Sequence, residues 1–282
     1  MHQLNLSEEM IVFPNAKINI GLFVVEKRSD GFHNLETVFC PIGLSDILEI
    51  QRKEGKSGEY EFKNTGIEVG GVPEANLIVK AYRLLAEEYS LPAVYIHLHK
   101  VIPFGAGLGG GSSDAAFMLK ALNEYFELNL SQEKMMEYAS RLGSDCAFFI
   151  TGRPAFASGK GEVLEELSLD LKKYRIVLLK PEFGVSTPEA YAGITPAPAR
   201  CNLRELPDCP LDAWRDKVGN DFEKTVGAKY PRIMDLKRDL YESGALYAAM
   251  TGSGSAVFGI FAQEIERQGK WDDCWFWQGD FI

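Results

Sequence analysis

Residues 103–116 read Pro-Phe-Gly-Ala-Gly-Leu-Gly-Gly-Gly-Ser-Ser-Asp-Ala-Ala. Five glycines fall within the seven positions 105–111, and glycine's access to positive φ lets backbone N–H groups converge on one point. A concave nest of that kind binds anions. Upstream, Val94, Ile96 and Leu98 alternate with Tyr95, His97 and His99, the period of a half-buried strand. Downstream, Ala115, Met118, Leu119, Leu122 and Phe126 recur at helical spacing, with Ser112, Ser113 and Asp114 suited to the helix start, where at least one serine is expected to cap. A strand therefore feeds a glycine loop that opens a helix. The unpaired N–H groups and positive dipole end of that helix add to the nest and favour a di- or triphosphate.

Three familiar glycine loops can be tested against this one. A Walker A loop needs Gly-Lys-Ser/Thr, and no lysine follows a glycine between 105 and 111. Gly105-Ala-Gly107-Leu-Gly-Gly110 matches the dinucleotide fingerprint, but Glu124 and Glu127 lie in or just after the same helix rather than at the end of a second strand. A protein-kinase loop would be followed by a strand, His-Arg-Asp and Asp-Phe-Gly; a helix follows here, and neither tripeptide occurs.

Outward from the loop, residues 11–25 alternate, with Ala16, Ile18, Ile20, Leu22 and Val24 on one face and Lys17, Asn19, Gly21 and Phe23 on the other. Lys17 and Asn19 therefore point the same way. Helical faces are expected over 76–90, over 132–142 with Gly143 ending it, and over 231–243 with Pro231 in the first turn and Gly244 as the stop. A strand restarts at 174–179, and the proline-rich stretch to 211 reads as irregular connection with short helices. Residues 251–255 read as a glycine turn between Leu246–Met250 and Ala256–Phe261, and the aromatic tail from Trp271 suggests a closing strand or a subunit contact. Without regular βαβ alternation, the pattern favours an α+β fold in two domains, 1–160 and 161–282.

Composition bounds the function. A chain of 282 residues with 46% hydrophobic content can bury a substantial core. Its net charge of −10 argues against broad nucleic-acid binding, which needs a basic surface. The five cysteines form no CxxC pair, so a reducing compartment is expected and structural zinc is not. No leader-like segment or membrane-length apolar run occurs, which reads as a soluble cytoplasmic protein with no membrane partner.

Pro103 to Ala116 closely resembles the phosphate loop of the GHMP kinases, the small-molecule kinase superfamily that includes galactokinase, homoserine kinase and mevalonate kinase. Pro14-Asn-Ala-Lys-Ile-Asn19 is similar to that family's first motif, and Thr251-Gly-Ser-Gly-Ser-Ala-Val-Phe-Gly259 to its third. The triple glycine with Ser112-Ser113-Asp114, together with Asp30-Gly-Phe-His33 and Leu142-Gly-Ser-Asp145, narrows the resemblance to the branch acting on a cytidine diphosphate-linked methylerythritol. It spans residues 11–260.

The resemblance implies a two-domain GHMP kinase fold, with an N-terminal ribosomal-protein-S5-like nucleotide-binding domain and a C-terminal ferredoxin-like α/β sandwich. It implies ATP and Mg2+ as cofactors, phosphorylation of the 2-hydroxyl of the cytidine-linked acceptor in nonmevalonate isoprenoid synthesis, and a monomer or weak homodimer. It assigns the proton-accepting role to Asp145, while Lys17 can stabilise the attacking oxygen and the transferring group electrostatically; if the two lie within about 4 Å they form an ion pair that keeps Asp145 ionised, and it then acts mainly by orienting the hydroxyl. Asn76 is expected at the adenine, and Pro103, Phe104, Gly105, Ala106, Gly107, Leu108, Gly109, Gly110, Gly111, Ser112 and Ser113 at the phosphates. Asn19, Phe32, His33, Thr187, Tyr191, Gly252, Ser253 and Gly254 are expected at the acceptor, with aromatic faces stacking the base and His33 reading its edge. No metal ligands are assigned. Each residue also has an ordinary structural role open to it: Asp145 as a turn or cap residue, Asn76 as an N-cap, His33 as a turn histidine, Lys17 as a solvated strand residue.

Phe32 stands where the family commonly has tyrosine, which keeps the stacking face and removes a hydroxyl. Asn15 lies within the usual Pro-Ala-Lys, and Ser144-Asp145-Cys146-Ala147 stands where Ala-Asp-Val-Pro is common. Two alternatives are a GHMP kinase with a mevalonate- or homoserine-like acceptor, which offers no base to stack, and a ligand sensor on the same fold, against which the retention of Lys17 and Asp145 counts.

Overall fold

In chain order the secondary structure runs β1 (Glu9–Val12), β2 (Asn15–Lys27), β3 (His33–Ser45), β4 (Ile47–Arg52), β5 (Tyr60–Gly66), α1 (Leu77–Tyr89), β6 (Val94–Lys100) and α2 (Gly110–Tyr125). It continues with α3 (Gln132–Leu142), α4 (Cys146–Thr151), β7 (Ala155–Ser158), β8 (Val163–Glu166), β9 (Arg175–Pro181), α5 (Thr187–Tyr191) and α6 (Trp214–Lys217). It closes with α7 (Phe222–Lys229), α8 (Pro231–Glu242), β10 (Tyr247–Met250), β11 (Val257–Phe261) and β12 (Cys274–Asp280). This is a computed structural model, and it describes residues 9–282. Contacts divide the chain into two units: residues 9–15, Ser45–Pro103 and Gly110–Gly152 form the first, and Ala16–Leu44, Phe104–Gly109 and Arg153–Ile282 the second.

In the first unit the sheet order is β1-β4-β6-β5, with β4 antiparallel to β1 and β6 and β5 parallel to β6. The expected alternation in β6 holds: Val94, Ile96 and Leu98 are buried, and the same face continues to Lys100. Helix α1 buries Ile78, Val79, Tyr82 and Leu85 and lies against α2, which in turn touches β1 and β4. Asn76 caps α1, the ordinary role its sequence position allows, and Ser131 caps α3.

The start of α2 differs from expectation. The helix begins at Gly110, so Ser112 and Ser113 lie inside its first turn and neither is its N-cap. The Ser113 hydroxyl is buried without a hydrogen-bond partner. Because Gly109 takes φ +71°, the chain turns into the helix on glycines alone, with no capping side chain needed to set the turn.

The second unit holds two sheets, β2-β3-β7-β8 and β10-β11-β9-β12. In the latter, β9 pairs antiparallel with β11 and β12, and β10 and β11 form the expected hairpin, Met250 opposite Val257. Its core gathers Val177, Leu179, Leu236, Leu240, Ala248, Val257 and Trp271 under α8. The aromatic tail is a closing strand, with Trp277 opposite Leu178. Pro231 opens α8 and Gly244 follows it at φ +98°, as the sequence suggests.

Candidate active site

Strand β2 is buried on both faces from Asn15 to Val24, so its polar alternates look into protein rather than solvent. Lys17 is 4% exposed. Its ammonium donates to Asn19 Oδ1 at 2.6 Å and to the Gly107 carbonyl at 3.3 Å, and lies 4.9 Å from the centre of the Phe39 ring. The shared face expected for Lys17 and Asn19 is therefore real, and the solvated reading of Lys17 does not hold. Asn19 Nδ2 donates to Thr37 Oγ1 at 3.0 Å, and Thr37 donates onward to the Gly21 carbonyl. Thr251 Oγ1 accepts from the Asn19 N–H at 3.0 Å and donates to the Gly107 carbonyl at 2.9 Å.

Both lone pairs of the Gly107 carbonyl are thus engaged. The backbone of the glycine loop is tied on either side, by Lys17 N–H to Leu108 O (3.0 Å), Ser255 N–H to Gly105 O (2.9 Å) and Ala256 N–H to Ala106 O (3.3 Å). Gly107 has φ +73°, and a Cβ there would stand 2.0 Å from the Thr251 carbonyl oxygen, so only glycine lets the two segments touch. Gly252 and Gly254 are buried across from it and Ser253 is half-buried. Within the loop, Phe104 and Gly105 are exposed while Ala106 and Leu108 are buried and anchor it.

Sequence reasoning missed Asn220, just ahead of α7. It is 4% exposed; its Nδ2 donates to the Met250 and Gly252 carbonyls, both at 2.8 Å, and its Oδ1 accepts from Phe222 N–H at 2.9 Å. Glu223 Oε1 accepts from Met250 N–H at 2.9 Å, so both residues brace the 251–255 turn. The available signal was Asn-Asp before an apolar helical run, which points only to a cap.

Elsewhere in this unit, Asp30 Oδ1 accepts from Phe32 N–H at 3.1 Å, closing the turn in which Gly31 takes φ +84°. Phe32 is left 59% exposed, with Lys160 Nζ 5.0 Å from its ring. His33 opens β3 and stacks on Tyr191, ring centres 4.9 Å apart at 22°, and Tyr191 meets Phe222 edge-on at 4.8 Å. His33 is therefore more than a turn histidine. Thr187, the first residue of α5, is exposed and follows the Ser186 cap.

In the first unit, Pro103 is half-buried ahead of the stretch that begins at Gly110. A Cβ on Gly110 would come within 2.9 Å of Ile102 Cγ2 and 3.0 Å of Lys100 Nζ, which explains that glycine by packing. At Gly111 a Cβ would meet no protein atom within 4 Å, so protein packing gives no reason for glycine there. Ser112 is half-buried, and a Cβ built on Gly143 would stand 4.0 Å from its hydroxyl oxygen and 3.3 Å from the sulfur of Cys146, whose burial pushes that thiol up to about 11. The first turn of α2 and the start of α4 are therefore neighbours, and Asp145 stands at that start. Asp145 occupies the cap position of α4 at φ −84°, but its carboxylate makes no capping hydrogen bond. Asn76 caps α1 through Oδ1, which accepts from Ile78 N–H at 2.9 Å.

Among the described residues no group of three or more His, Cys, Asp or Glu could hold a metal ion, the five cysteines are free, and no helix is long and apolar enough to cross a membrane. What the residues offer is a buried ammonium beside loop carbonyls, a glycine turn opening a helix, and a carboxylate not spent on capping. These are parts suited to positioning polyphosphate and an alcohol.

Known proteins are similar to this chain along most of its length. The GHMP kinases N terminal domain matches residues 76–153, and the GHMP kinases C terminal domain matches 210–270. A 4-diphosphocytidyl-2-C-methyl-D-erythritol kinase of Bacteroides fragilis is 53% identical over 255 residues, 90% of this chain and 93% of that protein. One from Parabacteroides distasonis is 48% identical over 272 residues, 96% of this chain and 99% of that protein. A crystal structure of 4-(cytidine 5'-diphospho)-2C-methyl-D-erythritol kinase superposes with a TM-score of 0.74 at 33% identity, covering 89% of this chain and 90% of that one. With relatives this similar along nearly their whole length, the chain belongs to the GHMP kinase family, on the branch of the 4-diphosphocytidyl-2-C-methyl-D-erythritol kinases.

Proposed function

We propose that this protein transfers the γ-phosphoryl group of ATP to the 2-hydroxyl of 4-diphosphocytidyl-2-C-methyl-D-erythritol, a step of nonmevalonate isoprenoid precursor synthesis. The observation that carries the reading is the burial of Lys17 in a polar network with Asn19, Thr251 and Gly107, one residue from each of the family's three motifs plus a neighbour on β2. An ammonium buried among those motif segments, rather than turned to solvent, is placed to stabilise negative charge on a bound ligand.

In this reading the acceptor oxygen attacks the γ-phosphorus, its proton passes to the Asp145 carboxylate, and ADP leaves with the bridging oxygen. Lys17 offsets the negative charge carried by the attacking oxygen and the transferring group. The first-turn N–H groups of α2 and the glycines before it hold the polyphosphate, with Gly111 open to its approach. Asn76 borders the adenine, its Oδ1 already engaged as a cap. No described group of residues is built to hold a metal, so Mg2+ would be held mainly by the nucleotide phosphates and water and would supply charge neutralisation of the transferring group. The stacked His33 and Tyr191, with Phe32 exposed next in the chain, offer aromatic faces to a pyrimidine, and Thr187, Ser253 and the flanking Gly252 and Gly254 border the rest of the acceptor. The assignment of residues 1–160 to ATP and 161–282 to the acceptor, a cytoplasmic location and a monomer or weak homodimer belong to the same proposal.

The test is ADP release by the purified protein with Mg-ATP and each of four alcohols: the cytidine diphosphate-linked methylerythritol, mevalonate, homoserine and galactose. Turnover confined to the first is expected. Turnover with another alcohol in preference would overturn the acceptor while leaving the kinase chemistry, and no turnover with any would point to a ligand sensor.

A further inference from the structure

Beneath the first turn of α2 the first unit buries three charged side chains together. Lys100 is the fourth residue on the buried face of β6 and is 2% exposed. Its ammonium bonds Asp46, which lies between β3 and β4 and is 0% exposed, and reaches Asp114 Oδ2 at 2.7 Å, where Asp114 is 3% exposed. The two carboxyls are not equivalent. Asp46 Oδ1 also accepts from the N–H groups of Val101 (2.6 Å) and Ile102 (2.8 Å), so both of its oxygens are engaged. Asp114 Oδ1 has no partner, and neither does the Ser113 hydroxyl beside it.

Two ionised carboxylates around one ammonium would leave a net negative charge in this buried place. The cluster that carried it reaches Gly110 through Lys100, whose Nζ would stand 3.0 Å from an added Cβ there, at the turn the proposed nucleotide site assigns to phosphate. An uncompensated charge there opposes both burial and anion binding. We propose that Asp114 is a neutral acid in the nucleotide-binding form of the protein, and that Asp46, Lys100 and Asp114 together are a charge-balanced positioning unit under the phosphate-binding turn. The single proton resides on Asp114 because Asp46 is the carboxyl surrounded by donors. Burial pushes the Asp114 carboxyl up to about 8; the Lys100 ammonium pulls it down and the Asp46 carboxylate pushes it up, and these are the charged groups that face it. The phosphate side of this inference rests on the proposed nucleotide site. The protonation of Asp114 does not.

Both parts can be measured. Calorimetric titration with Mg-ADP is run from about pH 7 to about pH 9.5 on the wild-type protein and on Asp114→Asn, which stays neutral throughout. Wild-type affinity is expected to fall about tenfold across that range, while Asp114→Asn holds its affinity and binds more tightly than wild type at the alkaline end. Parallel profiles for the two proteins, or weaker binding by Asp114→Asn at every pH, would overturn the proposal. Urea unfolding across pH provides the readout independent of nucleotide. A carboxyl raised from 3.8 to about 8 on folding contributes stability that is complete below the lower value and lost as pH rises to the upper one. The loss of stability across that window should be shallower by about one proton in Asp114→Asn than in wild type, and equal slopes would refute a neutral Asp114. If neither protein binds Mg-ADP, the nucleotide reading fails and these slopes alone decide the protonation. If Asp114→Asn does not fold, infrared spectra of the wild type decide it: a protonated-carboxyl band present near neutral pH and lost by about pH 9.5 supports the proposal, and its absence at neutral pH overturns it.

Discussion

Lys17 and Asn19 show how a two-residue period becomes chemistry. Alternation sets both side chains on one face, and the 2.6 Å contact between them follows from that register. It cannot say whether the face meets water. Here the strand is covered on both sides, so the ammonium is desolvated and its field is screened far less than at a surface. Replacing it in Lys17→Met, which keeps the stem and removes the charge, is expected to lower kcat about 100-fold or more while the protein still unfolds cooperatively. Steady-state kinetics beside a urea melt checks this, and retention of wild-type turnover would remove Lys17 from the reaction. Asp145 illustrates the converse. Its position after Gly143 suggests a cap, yet its side chain makes no capping bond, so the local sequence pattern does not account for its carboxylate.

At the scale of elements, the turn 251–255 is held from outside as much as by its own glycines. Asn220 from the start of α7 binds two of its neighbouring carbonyls, Glu223 holds the Met250 N–H, and Ser255 donates to the Phe183 carbonyl at 2.6 Å. Removing the amide in Asn220→Ala leaves the Met250 and Gly252 carbonyls without that donor in a buried place and is expected to cost about 2–4 kcal/mol of stability. Because those carbonyls flank the residues that grip Gly107, kcat should fall further than the stability loss alone explains, measured at a temperature where the variant remains folded. A variant as stable as wild type would show that the brace is not needed. The helices were easier to read. Expectations over 76–90, 132–142 and 231–243 meet α1, α3 and α8 closely because each carries its own stop signal or cap. The α2 start departs from expectation because glycines, poor helix formers in isolation, open it on a turn that tertiary contacts at Gly107 and Gly110 dictate.

Over the whole molecule, a net charge of −10 means that phosphate must be attracted locally, against the general field. Mg-ADP at about 100 times its dissociation constant should therefore stabilise the protein by about 2.7 kcal/mol, and a thermal melt should rise by several degrees, about 5 °C. No rise at saturating nucleotide would count against the phosphate site. Read alone, the sequence determined what its short-range patterns encode: a glycine loop between strand and helix, Lys17 and Asn19 on one face, the 251–255 hairpin turn, and the family through motifs that each sit in one continuous stretch. Only the tertiary structure decided that Lys17 is buried, that His33 stacks on Tyr191, that Asn220 braces the turn, and that Lys100 continues the buried face of β6 to meet Asp46 and Asp114. The physical reason is separation along the chain. Periodicity tells which side of its own element a residue faces, whereas the partner that desolvates it, stacks on it or neutralises it is brought there by distant segments, as Thr251 is brought to Asn19 from 232 residues away.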